Sequence, residues 1–470
     1  MQIDRKKVAS GVGAFFIVAL LFSIFSRLGY WLTITEPVAW DSYYYLQEIR
    51  SIRATGSTYY HLHPLFFYLI AWPLSLVISS DPLVLGVIQS LAYLGLLFAL
   101  GALAFVCKSR WLALLAVVSV GASQQLFHLI NGSTCQAFSL VPLFFGVVFF
   151  MLGKVREEED PLNLWKKVSY GLLLLSAGLH IFSATIVTLF LFIVLVDSPK
   201  REFLDYAVFG FALVILAFLS FSNPKEVFSN LTILEGEVPY FYFKRYYHKP
   251  FQVAELFCGV VVLILLTVAA FLKKNRVPLV VGFLIVTWMI ILPAYVLFWE
   301  DSLHPGTLSD RLPQVALLMI GALAILLYFR EESERARTFI LGSLCVMASF
   351  YSIRTFSIDF EDPLIGHELP PALFSRNADK LISLLDPNAF VEAPHGVQFR
   401  VTYYLNMKSA QLRTKSAVQN GYYSIQKYEG HACPLLNSEV ELQSPVRNCL
   451  GLNKDWIIVW FEPQSEDSRA

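Results

Sequence analysis

The stretch Trp40-Asp41-Ser42-Tyr43-Tyr44-Tyr45 sets one carboxylate beside an indole and three phenols. If residues 42–55 are helical, Asp41 stands at the helix N-terminus, Gly56 ends the helix, and Glu48, two turns on, shares the face of Asp41. An aspartate walled by aromatics at a membrane surface suits a general base that takes a proton from an acceptor hydroxyl, a role contributing roughly 10²–10⁴-fold. The same residues also fit a plain helix cap and an interfacial aromatic belt. The chain continues into His61-Leu62-His63-Pro64-Leu65, whose His-x-His spacing, with Glu36 or Glu48, is a weak metal signature. His180, in Ala177-Gly178-Leu179-His180, sits inside an apolar run, where a polar ring is costly without a partner. Arg311, in Ser309-Asp310-Arg311-Leu312-Pro313, carries a guanidinium that can bind phosphate bidentately or pair with Asp310 as an anchor, and His304 lies in the same loop. Lys244, Arg245, His248 and Lys249 alternate with Tyr240, Phe241, Tyr242, Phe243, Tyr246 and Tyr247, a pattern that grips lipid headgroups or forms a surface amphipathic helix.

These groups belong to a chain of 470 residues, 56% hydrophobic and only 15% charged, with 39 Phe and 22 Tyr. Average soluble proteins carry about 25% charged residues. Several runs of about 20 residues lack any charge, the length that a bilayer core demands. A soluble enzyme, a disordered protein and a secreted disulfide scaffold are excluded, which leaves a multi-pass membrane protein. With 36 basic and 36 acidic residues the net charge is zero, and nothing argues for nucleic acid. The first apolar run lacks a clean small-residue cleavage site and reads as a signal anchor.

Apolar runs fall at about 11–33, 62–80, 82–106, 111–130, 134–153, 168–197, 203–222, 251–272, 277–299, 312–329 and 338–354. Loop charge decides their direction. With 62–80 kept on the outer side as a juxtamembrane segment, and 168–197 split into two helices at His180, the short loops 1–10, 107–110, 154–167, 198–202, 273–276 and 330–337 all face inward. They hold Arg5, Lys6, Lys7, Lys108, Arg110, Lys166, Lys167, Lys200, Arg201, Lys273, Lys274, Arg276, Arg335 and Arg337, as the positive-inside rule requires. The expectation is about eleven spans, N-terminus inside, with the long polar segments 34–81, 223–250, 300–311 and 355–470 outside. Arg27 lies toward the outer end of its span, from where it can snorkel.

Residues 1–354 thus form a transmembrane domain and 355–470 a small α/β extracytoplasmic domain. In the latter, 371–385 reads as an amphipathic helix, and 389–391, 397–405 and 456–461 as strands. Cys433 and Cys449 lie in this polar tail, where an oxidising compartment would allow a disulfide. Asn131 and Asn230 match the N-glycosylation pattern, Asn131 close to the membrane.

Asp-x-Tyr-Tyr-Tyr after a first transmembrane helix, then a glycine, then His-Pro-Leu before further spans, resembles the GT-C superfamily of membrane glycosyltransferases, in particular protein O-mannosyltransferases and aminoarabinose transferases. The resemblance implies an all-α polytopic bundle acting on the outer face, with a polyprenyl-phosphate-linked sugar as donor and a protein, lipid or glycan hydroxyl as acceptor. It puts Asp41 in the active site and makes the segment after His63-Pro64 a juxtamembrane helix. Glu48 joins Asp41 as a catalytic candidate, and Tyr44, Tyr45, His61 and His63 as substrate-binding ones. Relatives carry a Lys or His near the position of His180 and an Arg at the outer start of a late span, which assigns His180 and Arg311, with Arg245 and His304, to the donor phosphate. Ser42 stands where O-mannosyltransferases have Glu. The turn Asn131-Gly132-Ser133-Thr134 lacks the second acidic motif of oligosaccharyltransferases, and the tail lacks their Trp-Trp-Asp-Tyr-Gly motif. Transfer of a single sugar unit is therefore expected, in one inverting step, without a nucleotide or other cofactor and without support for a metal. No Gly-rich phosphate loop is present. The bacterial cytoplasmic membrane is the expected location. The rival classes are a transporter or flippase, which should show mid-membrane ionisable residues and broken helices, and a non-catalytic scaffold of the same fold.

Overall fold

The structure, a computed structural model, describes residues 5–36, 42–59, 63–106, 109–155, 164–197, 202–222, 250–271, 287, 307–330, 333–356, 369, 371–393, 397–410, 421–427, 433–436, 445, 449–453 and 455–463. In chain order the helices are α1 (Arg5–Thr33), α2 (Ser42–Thr55), α3 (Pro64–Phe66), α4 (Trp72–Val77), α5 (Asp81–Val106), α6 (Arg110–Gly121), α7 (Gln124–Gly132), α8 (Thr134–Val155), α9 (Leu164–Leu179), α10 (Ile181–Asp197), α11 (Phe203–Ser222), α12 (Pro250–Phe271), α13 (Thr307–Arg330), α14 (Glu334–Thr355), α15 (Pro371–Leu384) and α16 (Val397–Leu405). The strands are β1 (Phe390–Glu392), β2 (Ser409–Ala410), β3 (Tyr422–Lys427), β4 (Cys449–Gly451) and β5 (Trp456–Phe461). The chain clusters into two units, one of Met1–Leu32, Leu62–Leu69 and Gly86–Asp359, the other of Thr33–His61, Ile70–Leu85 and Phe360–Ala470.

Among the described residues four helices are long and apolar enough to cross a membrane, Ser10–Thr33 within α1, then α5, α8 and α14, and the chain is an integral membrane protein. A fifth candidate is the pair Arg110–Gly121 and Leu126–Gly132, bent by 52° at its break. The run Pro64–Val77 is shorter, and a π turn, Phe67–Ala71, interrupts it. At 1.5 Å per residue it reaches about 21 Å, less than the roughly 30 Å hydrocarbon core. The expected run at 277–299 lies outside the described residues except for Thr287.

Packing in the first unit uses small and hydroxylated residues, the means by which helices approach closely in lipid. Ser169 Oγ donates to Gly146 O at 2.7 Å and Ser176 Oγ to Ser139 O at 2.7 Å, tying α9 to α8. Ser139 and Ser183 share a hydrogen bond of 2.5 Å, bringing in α10. A side chain at Gly86 could not be accommodated, since its Cβ would lie 1.9 Å from Trp31 O, so α5 passes the end of α1 only because this residue is glycine.

The break between α6 and α7 corrects the expectation for Arg27. Arg27 does not snorkel but is fully buried. Its guanidinium donates to Gly121 O, and Nη2 donates to Ser123 O at 2.8 Å. Ser23 Oγ and Tyr93 Oη donate to Gly121 O as well, at 2.7 and 2.8 Å. One helical turn beyond Arg27, Trp31 Nε1 donates to Asn131 Oδ1 at 2.5 Å. Ser23, Arg27 and Trp31 recur every four residues, so α1 presents one polar stripe along a helix whose broken backbone needs donors.

The apolar run 168–197 divides at His180, and the ring supplies the reason. Nδ1 accepts the Phe182 N–H at 3.1 Å, covering one of the donors that the start of α10 leaves unmatched. Near the start of α9, Lys166 Nζ lies 2.8 Å from Asp205 Oδ1 and 3.0 Å from Glu202 Oε2, while Tyr170 Oη donates to Asp205 Oδ1 at 2.5 Å. Burial works against the Lys166 charge, but the hydrogen bonds to Asp205 and Glu202 outweigh it and hold the ammonium above its ordinary range.

In the second unit the tail forms a five-stranded sheet in the order β2-β1-β3-β5-β4. β1 is parallel to β2 and β3, whereas β5 is antiparallel to β3 and β4. The segment 397–405, expected as a strand, is helix α16. Val397, Val401 and Leu405 are all buried at four-residue spacing, and this helical period overrides the β propensity of its Val, Thr and Tyr residues. A parallel β1–β2 pair also needs a crossover of this kind. Cys433 and Cys449 form a disulfide that ties the preceding loop to β4.

Candidate functional site

Helix α2 carries the motif. Its first two turns are buried on all sides, with Tyr43, Tyr44, Tyr45, Leu46, Glu48 and Ile49 among the buried residues, and Ile52 is buried beyond them. Gly56 N donates to Ile52 O at 2.9 Å, and Gly56 adopts φ 71°, the left-handed cap that a glycine takes without strain. The helix begins and ends where residue spacing predicts. Asp41 lies just before it, outside the described residues, as do His61, Arg245 and His304. Arg311 falls near the start of α13.

Glu48 is fully buried, and its Oε2 accepts the Tyr59 N–H at 2.5 Å. The carboxylate thereby fixes the turn that follows Gly56. The phenols form a second cluster at the start of α2. Tyr43 Oη and Tyr404 Oη share a hydrogen bond of 3.1 Å, Tyr43 meets the Tyr403 ring at 5.6 Å, and Tyr44 meets Tyr45 at 5.1 Å and Phe399 at 5.7 Å. Arg400 is fully buried on α16, donates to Leu369 O at 2.5 Å, and lies 5.6 Å from the centre of the Tyr43 ring. Ser375 Oγ donates to Glu36 Oε1 at 2.5 Å. Burial pushes the Tyr43 phenol far above its ordinary range, reinforced by Tyr404, and burial pushes Tyr404 to about 12. Both are neutral at physiological pH and act as hydroxyl partners and walls, not as bases.

Arg50 and Arg53 extend the cluster at the other end of α2. Arg50 donates to Tyr403 O at 2.5 Å, and its guanidinium lies 3.7 Å from the Tyr403 ring centre. Arg53 pairs with Asp81, the first residue of α5. The sequence offers one signal for these two arginines, their three-residue spacing on a helix, which sets both on one face. Arg400, Tyr403 and Tyr404 escape sequence reasoning because reading 397–405 as a strand assigns its side chains to the wrong faces.

In the first unit the structure brings His63 and His180 together. Their rings stack at 4.7 Å with an interplanar angle of 27°. His63 adopts the left-handed conformation, φ 49° and ψ 47°, directly before Pro64, which opens α3. A non-glycine residue held there is locally strained. Because His180 Nδ1 accepts from Phe182, Nε2 is the ring nitrogen left to donate a hydrogen bond. Among the described residues no group of three or more His, Cys, Asp or Glu is placed to hold a metal ion. Asn131 is buried, and its Oδ1 accepts from Trp31 Nε1.

No known family profile matches this chain, and no curated protein sequence does. Solved structures share its fold. ArnT from Cupriavidus metallidurans in the apo state superposes with a TM-score of 0.53 at 12% identity, covering 96% of this chain and 98% of that one. The same protein bound to undecaprenyl phosphate gives 0.51 at 13% identity, with the same coverage. The apo oligosaccharyltransferase of Archaeoglobus fulgidus gives 0.50 at 11% identity, covering 88% of this chain and 69% of that one. Both neighbours are GT-C superfamily members, and at these identities the likeness concerns the fold.

Proposed function

We propose that the protein is a glycosyltransferase that moves one sugar from a polyprenyl-phosphate-linked donor to an acceptor hydroxyl outside the cytoplasm. The observation that carries this reading is a fold shared end to end with ArnT, a protein also solved with undecaprenyl phosphate bound, together with helix α2 starting directly after Asp41. In this reading Asp41 takes the acceptor proton, the acceptor oxygen attacks the anomeric carbon from the face opposite the phosphate, and the carbon–oxygen bond to the phosphate breaks. Its electron pair leaves on the polyprenyl phosphate, and the configuration inverts. Arg311, with His180, Arg245 and His304, neutralises charge growing on the leaving phosphate. Tyr44, Tyr45, His61 and His63 shape the sugar and acceptor sites, while Glu48, the second carboxylate of the motif helix, supports Asp41 and fixes the turn after Gly56. The reaction calls on no cofactor. About eleven spans, an inner N-terminus, residues 1–354 as the transmembrane domain and 355–470 as an outer domain complete the reading, with the bacterial cytoplasmic membrane as its setting.

Buried Arg27 and the break between α6 and α7 are features that a transporter or flippase would also use. Chemistry separates the two. Purified protein in detergent, given undecaprenyl-phosphate-linked hexoses and aminopentose with a mixed glycan and lipid acceptor extract, releases free undecaprenyl phosphate if it is a transferase. Release of none, alongside vectorial movement of the intact donor in vesicles, would establish the transport reading.

A further inference from the structure

We propose that Arg53 is a positioning residue of this site: with Asp81 and Arg50 it clamps α2 to the α4–α5 turn and to α16, and so sets the helix that follows Asp41. The inference rests on the reading of Asp41 as the base. It also gives the tail a task, since α16 acts on the motif helix through Arg50.

The guanidinium of Arg53 serves four acceptors. Nε donates to Ser75 O at 3.2 Å, Nη2 to Ile78 O at 2.7 Å, and Nη1 to Ser79 O at 2.8 Å and to Asp81. Ser75 and Ile78 are the closing turn and cap of α4, whose last carbonyls have no partner within the helix and form its negative end. Asp81 stands in the first turn of α5, where a carboxylate meets the positive end of a helix. Arg53 therefore joins three helix termini at one point. Arg50, one turn earlier on α2, reaches the same carboxylate at 3.6 Å and bonds Tyr403 on α16. All of these groups belong to the second unit. Lysine cannot replace this hub, because one ammonium lacks the planar fork that divides itself among several acceptors.

The need for such a clamp follows from the length of α2, 14 residues. A helix this short is marginal by itself in water, so tertiary contacts, the polar ones at its C-terminal end among them, fix its position. A displacement of about 1 Å in a catalytic group costs on the order of 10²-fold in rate. The loss belongs in kcat, since neither arginine is assigned to the donor.

The test uses the full chain in nanodiscs, with Arg53→Gln, Arg53→Lys and Asp81→Asn. Amide exchange across residues 42–59 should rise roughly tenfold in R53Q and D81N, with exchange in α8 and α9 unchanged. With undecaprenyl-phosphate-linked hexose as probe, kcat should fall about 10²-fold while KM for the donor stays within about twofold. R53K should recover part of the rate, and R53Q with D81N together should cost less than the sum of the two single losses, because the two share the Arg53–Asp81 pair. D81N, nearly isosteric, keeps the test usable if R53Q does not fold. Unchanged exchange across 42–59 overturns the clamp. Raised exchange with full kcat overturns the positioning role. If the unaltered protein turns over no donor, the reading of Asp41 and the catalytic role of the clamp fall together, and exchange alone then decides whether the clamp holds α2.

Discussion

Tyr43 and Tyr404 share one hydrogen bond within a buried cluster, and both phenols are held above their ordinary range. The sign of the pH effect follows from linkage. Once the pH passes about 10, the unfolded chain gives up these protons while the folded chain keeps them, so stability declines from there through about 12. Thermal unfolding between pH 9 and 11.5 should show the decline, and Tyr43→Phe with Tyr404→Phe should make it shallower, Tyr59 and Tyr403 being raised as well. A slope unchanged by the double substitution would contradict this account of the cluster. Residue identity alone reveals little at this scale. Asp41, Glu48 and the tyrosines stand out by type, but that Glu48 is committed to the Tyr59 N–H depends on the turn after Gly56, which local spacing does not specify.

Elements are more legible than residues. Gly56 announces the end of α2, and the placing of His180 inside an overlong apolar run announces a break, because a polar ring in such a run must find a donor or acceptor. The break between α6 and α7 is not legible, since Gly121, Ala122 and Ser123 are small residues equally at home in a continuous span. Its partner, Arg27, is the clue to it: a buried charge in a membrane helix implies backbone carbonyls or an acid close by. Arg27→Met should remove the donors to Gly121 O and Ser123 O and destabilise the protein by about 1–3 kcal/mol, read as a lower unfolding midpoint in detergent. Ser23 and Tyr93 still cover Gly121 O, which limits the loss. An unshifted midpoint would mean that water or lipid replaces the guanidinium at no cost. Residues 397–405 teach the opposite lesson: β-branched and aromatic composition suggests a strand, and burial at four-residue spacing makes a helix.

For the whole molecule, composition by itself dictates membrane insertion, because 56% hydrophobic residues leave no soluble alternative. What composition does not contain is the grouping of segment 33–61, residues 70–85 and the tail into one unit, since such long-range pairing follows from α2, α4, α16 and their polar contacts rather than from local pattern. The Cys433–Cys449 disulfide joins two residues of that unit 16 positions apart in the sequence. Chain entropy predicts that its reduction costs about 3 kcal/mol. Mild reduction should therefore speed proteolysis of the tail while leaving the membrane helices protected, and equal proteolysis before and after reduction would contradict a structural role. The central claim is tested most directly by single-turnover release of undecaprenyl phosphate from an undecaprenyl-phosphate-linked sugar, with the unaltered protein and Asp41→Asn side by side. The account predicts release by the unaltered protein and a loss of about 10²–10⁴-fold in D41N with donor binding retained. Release by D41N at the full rate would contradict it.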